Sequence, residues 1–551
     1  MTLLKIAGGA VHDPANGSDG DVCDLWIRDG RLVAPPSDKT DKPSRIIDAA
    51  GYIVMPGGID MHCHIAGPKV NAARKMRPEE KRSGEHIERT PLLRSGTLGS
   101  VPSTFATGYK YAGMGYTTAF DAAVSPLTAR HVHEEFSDTP CLDKGFYALL
   151  GNNHFVMDAI RRNDADRLRE FVSWLVRAAK AYGVKIVNPG GVENWKQRHG
   201  GNVDDLDATV DGFGITPRDI LQGLAGAVDA LKLPHSVHVH CNNLGLPGNW
   251  TTTLETMRAL EGRRAHLTHI QFHSYGGGEA DEGTFRSQVA PLAEYVNTHA
   301  NVTVDVGQVM FGRTTSMTGD GPLGYYLQKL NGGKWYSCDT ELESGCGVSP
   351  IEYKNKRLVH ALQWAIGLDW YLMVDDPWRV VMSTDHPNGG SFLAYPQIIR
   401  LLMDRAYRQE QLAECPRQVR ERSHFGDIER EYSLNEIAII TRAGPARILG
   451  LANKGHLGAG ADADVTIYAP HENKEIMFSL PRYVIKAGEI VIDDTEFRAT
   501  PSGGTLYSMP RFDEERESEI HQWFDDQYSV SFENYPVAAE EIVDPKPVTC
   551  E

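Results

Sequence analysis

The stretch "MPGGIDMHCHIAGP", residues 55–68, decides the fold that this sequence encodes. An apolar run leads into His62 and His64, which flank Cys63, and a Gly/Pro-rich segment follows them. Successive side chains of a β-strand point to opposite faces, so the two histidines share one face and Cys63 takes the other. On this stretch alone a metal site, a hydrogen-bonded histidine pair and a redox site built on Cys63 all remain open, although the alternation favours Cys63 as a core thiol.

Strand-like segments alternate with helical segments through the middle of the chain. Thr216 is a good N-cap and Pro217 suits the first helical position of "TPRDILQGLAGAVDAL", which therefore predicts a helix. The strand candidates are "GYTTAFDAA", "GVKIVNPGG", "HSVHVHCNN", "AHLTHIQFHS", "NVTVDVGQVM" and "WRVVMSTDHP". Alternation of this length predicts an α/β fold with a parallel sheet, either open or closed into a barrel.

Both ends of the chain carry short strand-like segments that are broken by Gly, Asp and Pro. "VCDLWIRDGRLV" contains the hairpin signal Asp29-Gly30, and "PRYVIKAGEIVID" near the other end has the same character. We therefore predict one small β-sandwich composed of residues 1–55 and 445–500. Residues 501–551 form an acidic tail that is too aromatic for simple disorder, and docking on this chain, docking on a partner subunit and a free tail all remain open.

The overall composition limits the classes of partner. The 551 residues include 56 Lys and Arg against 73 Asp and Glu, a net charge of −17, which disfavours nucleic acid and membrane surfaces as partners. The sequence shows neither a signal peptide nor a membrane-spanning run of about 18 apolar residues. Its eight cysteines are scattered without a CxxC pair, which favours reduced thiols in the cytoplasm and disfavours an iron–sulfur cluster.

Several predicted strands end in side chains that bind metal ions. Lys185 is a lone charge in "GVKIVNPGG", where it is either a lysine that reaches out from the strand edge or one that the chemistry uses. His238 and His240 share one face of "HSVHVHCNN", and Asp385 follows the apolar part of "WRVVMSTDHP". Nitrogen and oxygen donors at successive strand ends indicate a metal centre, for which zinc is the best fit.

The segment "AHLTHIQFHS" offers three further histidines. Strand alternation places His269 and His273 on one face and His266 on the other. Reading "LTHIQ" as the strand favours His269 over His273 as the ligand.

The order of these residues resembles the amidohydrolase superfamily. Its pattern is His-x-His on the first barrel strand, a carboxylated lysine on the fourth, one histidine each on the fifth and sixth and an aspartate on the eighth. The matching positions here are His62, His64, Lys185, His240, His269 and Asp385. The resemblance implies a metal-dependent (β/α)8 TIM-like barrel over residues 56–444, two divalent metal ions and an N6-carboxylysine at position 185.

A narrower resemblance covers most of the barrel. Six motifs are similar to the A subunits of formylmethanofuran dehydrogenase and of the bacterial formyltransferase/hydrolase complex: "MHCHIAGPKVNAARKMRPE", "VKIVNPGG", "HVHCNNLGLPGN", "HIQFHSYG", "GQVMFGRTTSMTGDGP" and "MSTDHPNGG". This resemblance implies reversible hydrolysis of the formamide C–N bond of an N-formyl amine carrier, formylmethanofuran or a bacterial analogue, to formate and free amine. It also implies a role in one-carbon metabolism, as in methylotrophy, and partners that include a formyltransferase. An excess of Arg over Lys favours the bacterial complex over the archaeal one.

The same resemblance implies a division of labour among the ligands. His62, His64 and Asp385 hold one metal, His240 and His269 hold the other, and the carbamate of Lys185 bridges the two. Asp385 also accepts the proton of the attacking hydroxide and delivers it to the leaving amine.

Substrate contacts are predicted for a second set of residues. Asn242 and Asn243 are candidates to hydrogen-bond the amide or formate, with a role in a turn as the alternative, and His273 is a further candidate. Arg74 and Lys75 belong to a basic segment that we expect to bind the anionic glutamate tail of a methanofuran-like carrier. An exposed loop or a subunit contact is the alternative for that segment.

Two other functions compete with this one. A stand-alone cyclic amidase of the dihydropyrimidinase or hydantoinase type shares the metal site but opens a ring amide. A metal-free scaffold subunit keeps the barrel and loses the chemistry, although no ligand position is missing from this sequence.

Overall fold

The structure is a computed structural model that describes residues 3–37, 41–83, 86–197, 201–278, 281–340 and 343–550. Within these ranges, eight parallel strands follow one another around a barrel: Gly58–Cys63, Tyr116–Val124, Asp143–Leu149, Gly183–Val187, Val237–His240, Ala265–Leu267, Val302–Asp305 and Val380–Val381. A parallel bridge between Cys63 and His386 closes the ring, and the His64 amide donates to the His386 carbonyl at 2.7 Å. The predicted α/β barrel is therefore confirmed.

The barrel strands are buried on both faces, as in a parallel sheet that helices cover. The predicted helix that starts after Thr216 runs from Pro217 to Ala230, and Thr216 and Asp219 form a capping box at its start. The other main helices of the outer layer are Thr104–Gly113, Ala129–Ser137, His154–Arg161, Ala165–Ala179, Trp250–Ala259, Val289–Thr298, Leu358–Met373 and Tyr395–Met403. The remaining α-helices of the described ranges are Pro68–Met76, Pro78–Ser83, Gly191–Gln197, Gly321–Asn331, Arg405–Ala413, Gln418–Arg422, Leu434–Ala438, Gly444–Leu449, Lys474–Ser479 and Glu517–Gln527.

The two termini build one β-domain, as predicted. Its strands in the described ranges are Leu3–Asp13, Ser18–Arg28, Arg31–Val33, Arg45–Asp48, Ile53–Pro56, Val465–Tyr468, Tyr483–Lys486, Glu489–Asp493 and Glu496–Phe497. Asp29 and Gly30 turn the chain with φ of 50° and 78°, the left-handed values that such a hairpin needs. The sheet is strongly curved, and the amide of Leu32 donates to the carbonyl of Ala461. Apolar side chains fill the space that the sheet encloses.

Two insertions lie over the carboxyl ends of the barrel strands. One is an antiparallel sheet of Gly312–Thr318, Tyr336–Thr340 and Ser344–Tyr353, and the other is the hairpin Tyr275–Gly278 with Asp281–Ser287. Both contribute walls to the cavity described below. A short antiparallel pair of strands, His86–Ile87 and Gly96–Thr97, also lies outside the barrel.

The C-terminal tail packs on the barrel of its own chain. Thr505–Met509 pairs with Pro545–Thr549 and meets the third barrel strand at Lys144. Between these strands, the ring of Trp523 lies 4.9 Å from Phe155, and the ring of Phe532 stacks on Trp174 at 4.8 Å. Apolar contacts therefore hold the tail against the helical layer. Among the described residues, no helix combines the length and apolar character needed to cross a membrane.

Candidate metal centre

His62 and His64 meet Asp385 at the carboxyl end of the first barrel strand. The Nε2 atoms of the two histidines lie 3.0 and 3.1 Å from Oδ1 of Asp385. Cys63 faces the other way, as the alternation predicted, because its thiol donates to the carbonyl of Phe120. Burial raises the pKa of Cys63 well above its usual value, so the thiol stays protonated and a redox site at this position is disfavoured.

Asp385 and His269 reach this place through unusual backbone conformations. The last strand ends at Val381, and Asp385 then adopts φ of 49°; His269 adopts φ of 37° just after the strand Ala265–Leu267. Left-handed conformations are costly for residues other than glycine, and they concentrate at functional sites. Each of these two turns redirects a side chain into the mouth of the barrel.

Strand alternation was right to bring His269 and His273 of "AHLTHIQFHS" together and wrong to place His266 opposite them. Ile270–His273 is a 3-10 turn, not a strand, and the rings of His269 and His273 stack 5.3 Å apart because of this turn. His266 does not lie opposite them, because its Nε2 is 3.1 Å from Oδ2 of Asp305 in the barrel lumen. The left-handed residue after the strand breaks the two-residue period on which the prediction depended.

Lys185 is buried in the fourth barrel strand, and 1% of it is exposed. Its Nζ has no hydrogen-bond partner in the described part of the chain. Burial lowers the pKa of Lys185 to about 7, against the opposing effect of Asp305 and Asp385. The burial of Nζ contradicts the alternative of a lysine that extends from the strand edge into solvent.

His240 and His269 form the second half of the cluster, with ring centroids 4.8 Å apart. Nε2 of His240 lies 3.1 Å from Oδ2 of Asp320, while Oδ1 of Asp320 accepts from Asn188. When one ring nitrogen of a histidine binds a metal ion, a carboxylate that accepts from the other ring nitrogen fixes the orientation of the ring. Asp320 was not among the predicted site residues, although it lies inside the motif "GQVMFGRTTSMTGDGP".

Unsatisfied polar atoms in the cluster show that the donor set fits metal ions. Nδ1 of His64, Nδ1 of His269 and Nζ of Lys185 are all buried without a hydrogen-bond partner in the described ranges. Buried polar atoms are normally hydrogen-bonded, so a group of exceptions in one place is typical of a ligand-binding site. The donor atoms of His62, His64 and Asp385 lie within 4.8 Å of one another, and imidazole with carboxylate suits zinc.

The charge states of His269 and Asp385 are those that metal binding requires. Burial lowers the pKa of His269 well below its usual value, so the ring stays neutral. Burial opposes ionisation of Asp385, but His269, His62 and His64 outweigh it and hold the pKa of the carboxyl well below its usual range. A neutral imidazole and an ionised carboxylate are the forms that bind a cation. His62 differs, because burial lowers its pKa but Asp305 and Asp385 outweigh burial and raise it.

The cluster lies in a cavity of about 620 Å³. His62, His64, Lys185, His240, His269 and Asp385 all line this cavity. Most of the remaining wall is apolar, and it includes Leu244, Phe272, Phe285, Met317, Leu323 and Ile351. A cavity of this size and character suits an extended organic ligand whose reactive group reaches the polar cluster.

None of the five residues that were predicted to contact substrate lines the cavity, and His273 instead stacks its ring on His269. Asn242 donates to Asn188 and Pro189, and Asn243 donates to the carbonyl of Asp204. The other two, Arg74 and Lys75, do not line the cavity.

The guanidinium group of Arg74 hydrogen-bonds to other parts of the protein. It donates to the carbonyls of Ile65 and Pro102 and to Glu135. Lys75 is exposed on the helix Pro68–Met76.

Comparison with known proteins agrees with this geometry. A sequence profile of the amidohydrolase family matches residues 45–492. Protein FwdA of Methanocaldococcus jannaschii is 47% identical, over 97% of this chain and 96% of its own length. The A subunit of the formyltransferase/hydrolase complex Fhc of Methylorubrum extorquens is 39% identical, over 97% and 96%. The crystal structure of the FhcABCD complex of that organism with methylofuran contains a chain that matches with a TM-score of 0.92 and 37% identity, over 100% of both chains. The predicted resemblance is thereby confirmed, and the chain belongs to the amidohydrolase family.

Proposed function

We propose that this chain hydrolyses an N-formyl amine carrier to formate and the free amine, as the catalytic A subunit of a multi-subunit one-carbon complex. The observation that carries the proposal is the convergence of six donor side chains in a single apolar cavity. The similarity to the A subunit of Fhc extends over nearly the whole chain, which supports a formyltransferase and other subunits as partners.

Two divalent metal ions, for which zinc is the best fit, would be held by residues that are already close together. His62, His64 and Asp385 would hold one ion, and His240 and His269 would hold the other. When bound, the ions would lower the pKa of water and polarise the formyl oxygen. A neutral amine adds carbon dioxide, so the unpaired Lys185 is suited to become the carbamate that joins the two halves.

Asp385 is the residue that we propose to transfer the proton. Its carboxyl group is ionised and faces the cavity, so it accepts a proton from the attacking water as the tetrahedral carbon forms. It then delivers that proton to the amine nitrogen when the C–N bond breaks. In the reverse direction the same carboxylate takes the proton from the amine that attacks formate.

The remaining residues position the substrate and the ligands. The apolar walls hold the body of the carrier and exclude bulk water from the reacting group. His273 stacks on His269 and lies 5.4 Å from His240, so we assign it to holding these two rings. Asn242 and Asn243 hold the loop that follows the fifth barrel strand.

Two types of complex fit this proposal. Identity is higher to FwdA, at 47%, than to the Fhc chain, at 39%, which favours the archaeal type. The excess of Arg over Lys favoured the bacterial type. Purification of the native complex, followed by mass identification of the co-purifying chains, decides between them: a tungsten or molybdenum protein indicates the archaeal type, and a formyltransferase indicates the bacterial type.

The test of the function is formate release from an N-formyl carrier by the purified complex. Asp385→Asn is expected to lower kcat by about 10²–10⁴, the usual contribution of general acid–base catalysis. The matched control is Asp369→Asn, since Asp369 is also a buried carboxylate but it accepts from the amides of His424 and Phe425 outside the cavity. We expect the control to keep its kcat.

Two results would overturn the proposal. One is an Asp385→Asn variant that keeps formate release within tenfold of the unsubstituted chain. The other is faster opening of a cyclic amide than cleavage of the linear formamide, which would favour the cyclic amidase. Well under one metal ion per chain in the active complex would favour the scaffold.

A further inference from the structure

Three histidines form a continuous hydrogen-bonded stack through the lumen of the barrel. Nδ1 of His62 lies 2.9 Å from Nε2 of His238, and Nδ1 of His238 lies 2.9 Å from Nε2 of His235. Nδ1 of His235 lies 3.0 Å from the carbonyl oxygen of Ile448, at the floor of the barrel. All three rings are fully buried, so the stack joins the floor to the metal centre without contact with solvent.

The carbonyl of Ile448 determines which nitrogen of each ring in this stack donates its hydrogen bond. A carbonyl oxygen only accepts, so Nδ1 of His235 must carry a hydrogen. Burial lowers the pKa of His235 to about 3, so the ring is neutral and its Nε2 must accept. His238 therefore donates from Nδ1 and accepts at Nε2, and His62 donates from Nδ1.

A second contact favours the same direction at His62. Oδ2 of Asp305 lies 3.4 Å from Nδ1 of His62, and a carboxylate oxygen is better placed against an N–H than against a lone pair. The hydroxyl of Thr268 also contacts Nδ1 of His62, and a hydroxyl oxygen is able to accept from an N–H. His266 is not part of the stack, because its ring nitrogens face Thr303 and Asp305.

We propose that His235 and His238 are positioning residues that hold the proton of His62 on Nδ1 and so leave the lone pair of Nε2 for a metal ion. Nε2 is the atom that faces Asp385, at 3.0 Å. The proposal rests on the proposed function in one respect, namely that His62 is a metal ligand. Without the stack, the proton of His62 is free to move to Nε2, where it would block that ligand atom.

The first measurement uses the full chain without metal. ¹⁵N chemical shifts of the imidazole nitrogens, in protein labelled at histidine, report which nitrogen of each ring carries the hydrogen. The signals of His62 are identified by their loss in His62→Gln. We expect a hydrogen on Nδ1 whether or not Nε2 also carries one to face Asp385; an Nδ1 of His62 without a hydrogen in the unsubstituted chain overturns the proposal, and this result does not depend on any variant or on metal binding.

The second measurement is zinc affinity, by competition with a chelator. His235→Phe removes the hydrogen bonds that fix the direction of the stack, and we expect zinc to bind about 10–100-fold more weakly, the usual effect of losing such a supporting partner. His235→Gln offers an amide N–H to Ile448 and an amide oxygen to His238, so it preserves the direction of the stack. We expect this variant to bind zinc within about threefold of the unsubstituted chain, since the support that normally contributes 10–100-fold is retained.

His133→Phe is the matched control, because His133 is buried and its Nε2 also bonds a backbone carbonyl, that of Ala179, on an outer helix. It is expected to leave zinc affinity unchanged. The proposal is overturned if His235→Phe binds zinc normally, if His235→Gln is as weak as His235→Phe, or if the control is equally weak. An unsubstituted chain that binds no zinc but carries the expected hydrogen on Nδ1 would contradict the proposed function, while the proposed role of the stack in holding that hydrogen would stand.

Discussion

Two buried lysines of the barrel, Lys185 and Lys144, show how a site is told from a structural cluster. Burial lowers the pKa of both to about 7. Lys144 lies near the start of the third strand and donates to the carbonyls of Thr139 at 2.8 Å and Ser502 at 2.6 Å. Lys185 has no hydrogen-bond partner among the described residues. A lowered pKa is common to both lysines, so the lack of a hydrogen-bond partner is what distinguishes Lys185, the lysine that we propose as a site residue, from Lys144.

A second group of carboxylates, at the end of the barrel opposite the metal centre, also resembles a metal site but is structural. Asp143, Asp462 and Asp464 place their oxygens within 4.8 Å of one another, as metal ligands do. Three lysine side chains from different parts of the fold already occupy that space: Nζ atoms of Lys454, Lys486 and Lys546 lie 2.5, 2.6 and 3.0 Å from Asp143. This floor cluster therefore joins the barrel, the terminal β-domain and the tail, and it is a structural network of ion pairs.

Replacing each lysine by methionine tests the difference between Lys185 and Lys144 most strongly. Lys185→Met removes the proposed bridging ligand, and we expect kcat for formate release to fall by about 10³ or more, because a bound metal ion stabilises the transition state by several kcal/mol. The metal content should fall with it. Lys144→Met should keep its kcat but lose about 1–3 kcal/mol of stability in urea unfolding for each carbonyl that loses its partner. Normal activity in Lys185→Met would contradict its assignment to the site.

Asp143→Asn tests the floor cluster directly. Removing one charge from a buried network leaves the lysines uncompensated, and we expect the free energy of unfolding to fall by about 3–5 kcal/mol. The matched control is Glu414→Gln, which removes the exposed ion pair with Lys356 and should cost about 1 kcal/mol or less. Metal content and kcat of the folded protein should not change. A loss of bound metal in Asp143→Asn would instead assign a metal to the floor cluster.

Acid should weaken the floor cluster in a defined pH window. Burial opposes ionisation of Asp464, but Lys454 and Lys486 lower its pKa to about 2. Because the pKa of Asp464 is lower in the folded chain than in the unfolded chain, where it is about 4, this residue stabilises the fold above pH 4. That contribution is lost as the pH falls from about 4 towards 2. Urea unfolding of Asp464→Asn should show a shallower loss of stability in this window, and an unchanged pH dependence would contradict the assignment.

Lys75→Ala should have the smallest effect, on the KM for a long-tailed carrier. Lys75 is exposed and does not line the cavity, so we expect the KM to stay within about twofold, since surface charges contribute little. Arg74→Ala should lower stability instead, because Arg74 bonds the carbonyls of Ile65 and Pro102. A KM that rises fivefold or more in Lys75→Ala would support the predicted binding of the carrier tail.

The site was predictable from sequence where local rules apply. His62 and His64 lie within a regular strand, so alternation put both on the cavity face and put Cys63 behind them. Alternation failed to place His266 relative to His269, because the strand ends at Leu267 and the backbone then turns left-handed. The basic segment around Arg74 was also hard to interpret, since its contacts to Ile65, Pro102 and Glu135 depend on packing between separate segments.

The sequence by itself determined the order of strands and helices, the identity of the family and the six candidate ligands. The order of elements follows from periodicity, whereas the family and its six ligands follow from the resemblance of motifs that lie within single segments. Only the tertiary structure decided that Asp320 supports His240, that Asp385 meets His62 and that His235 orients the stack beneath it. Asp385 and His62 are 323 positions apart in the chain, and closure of the barrel is what brings their side chains to hydrogen-bonding distance.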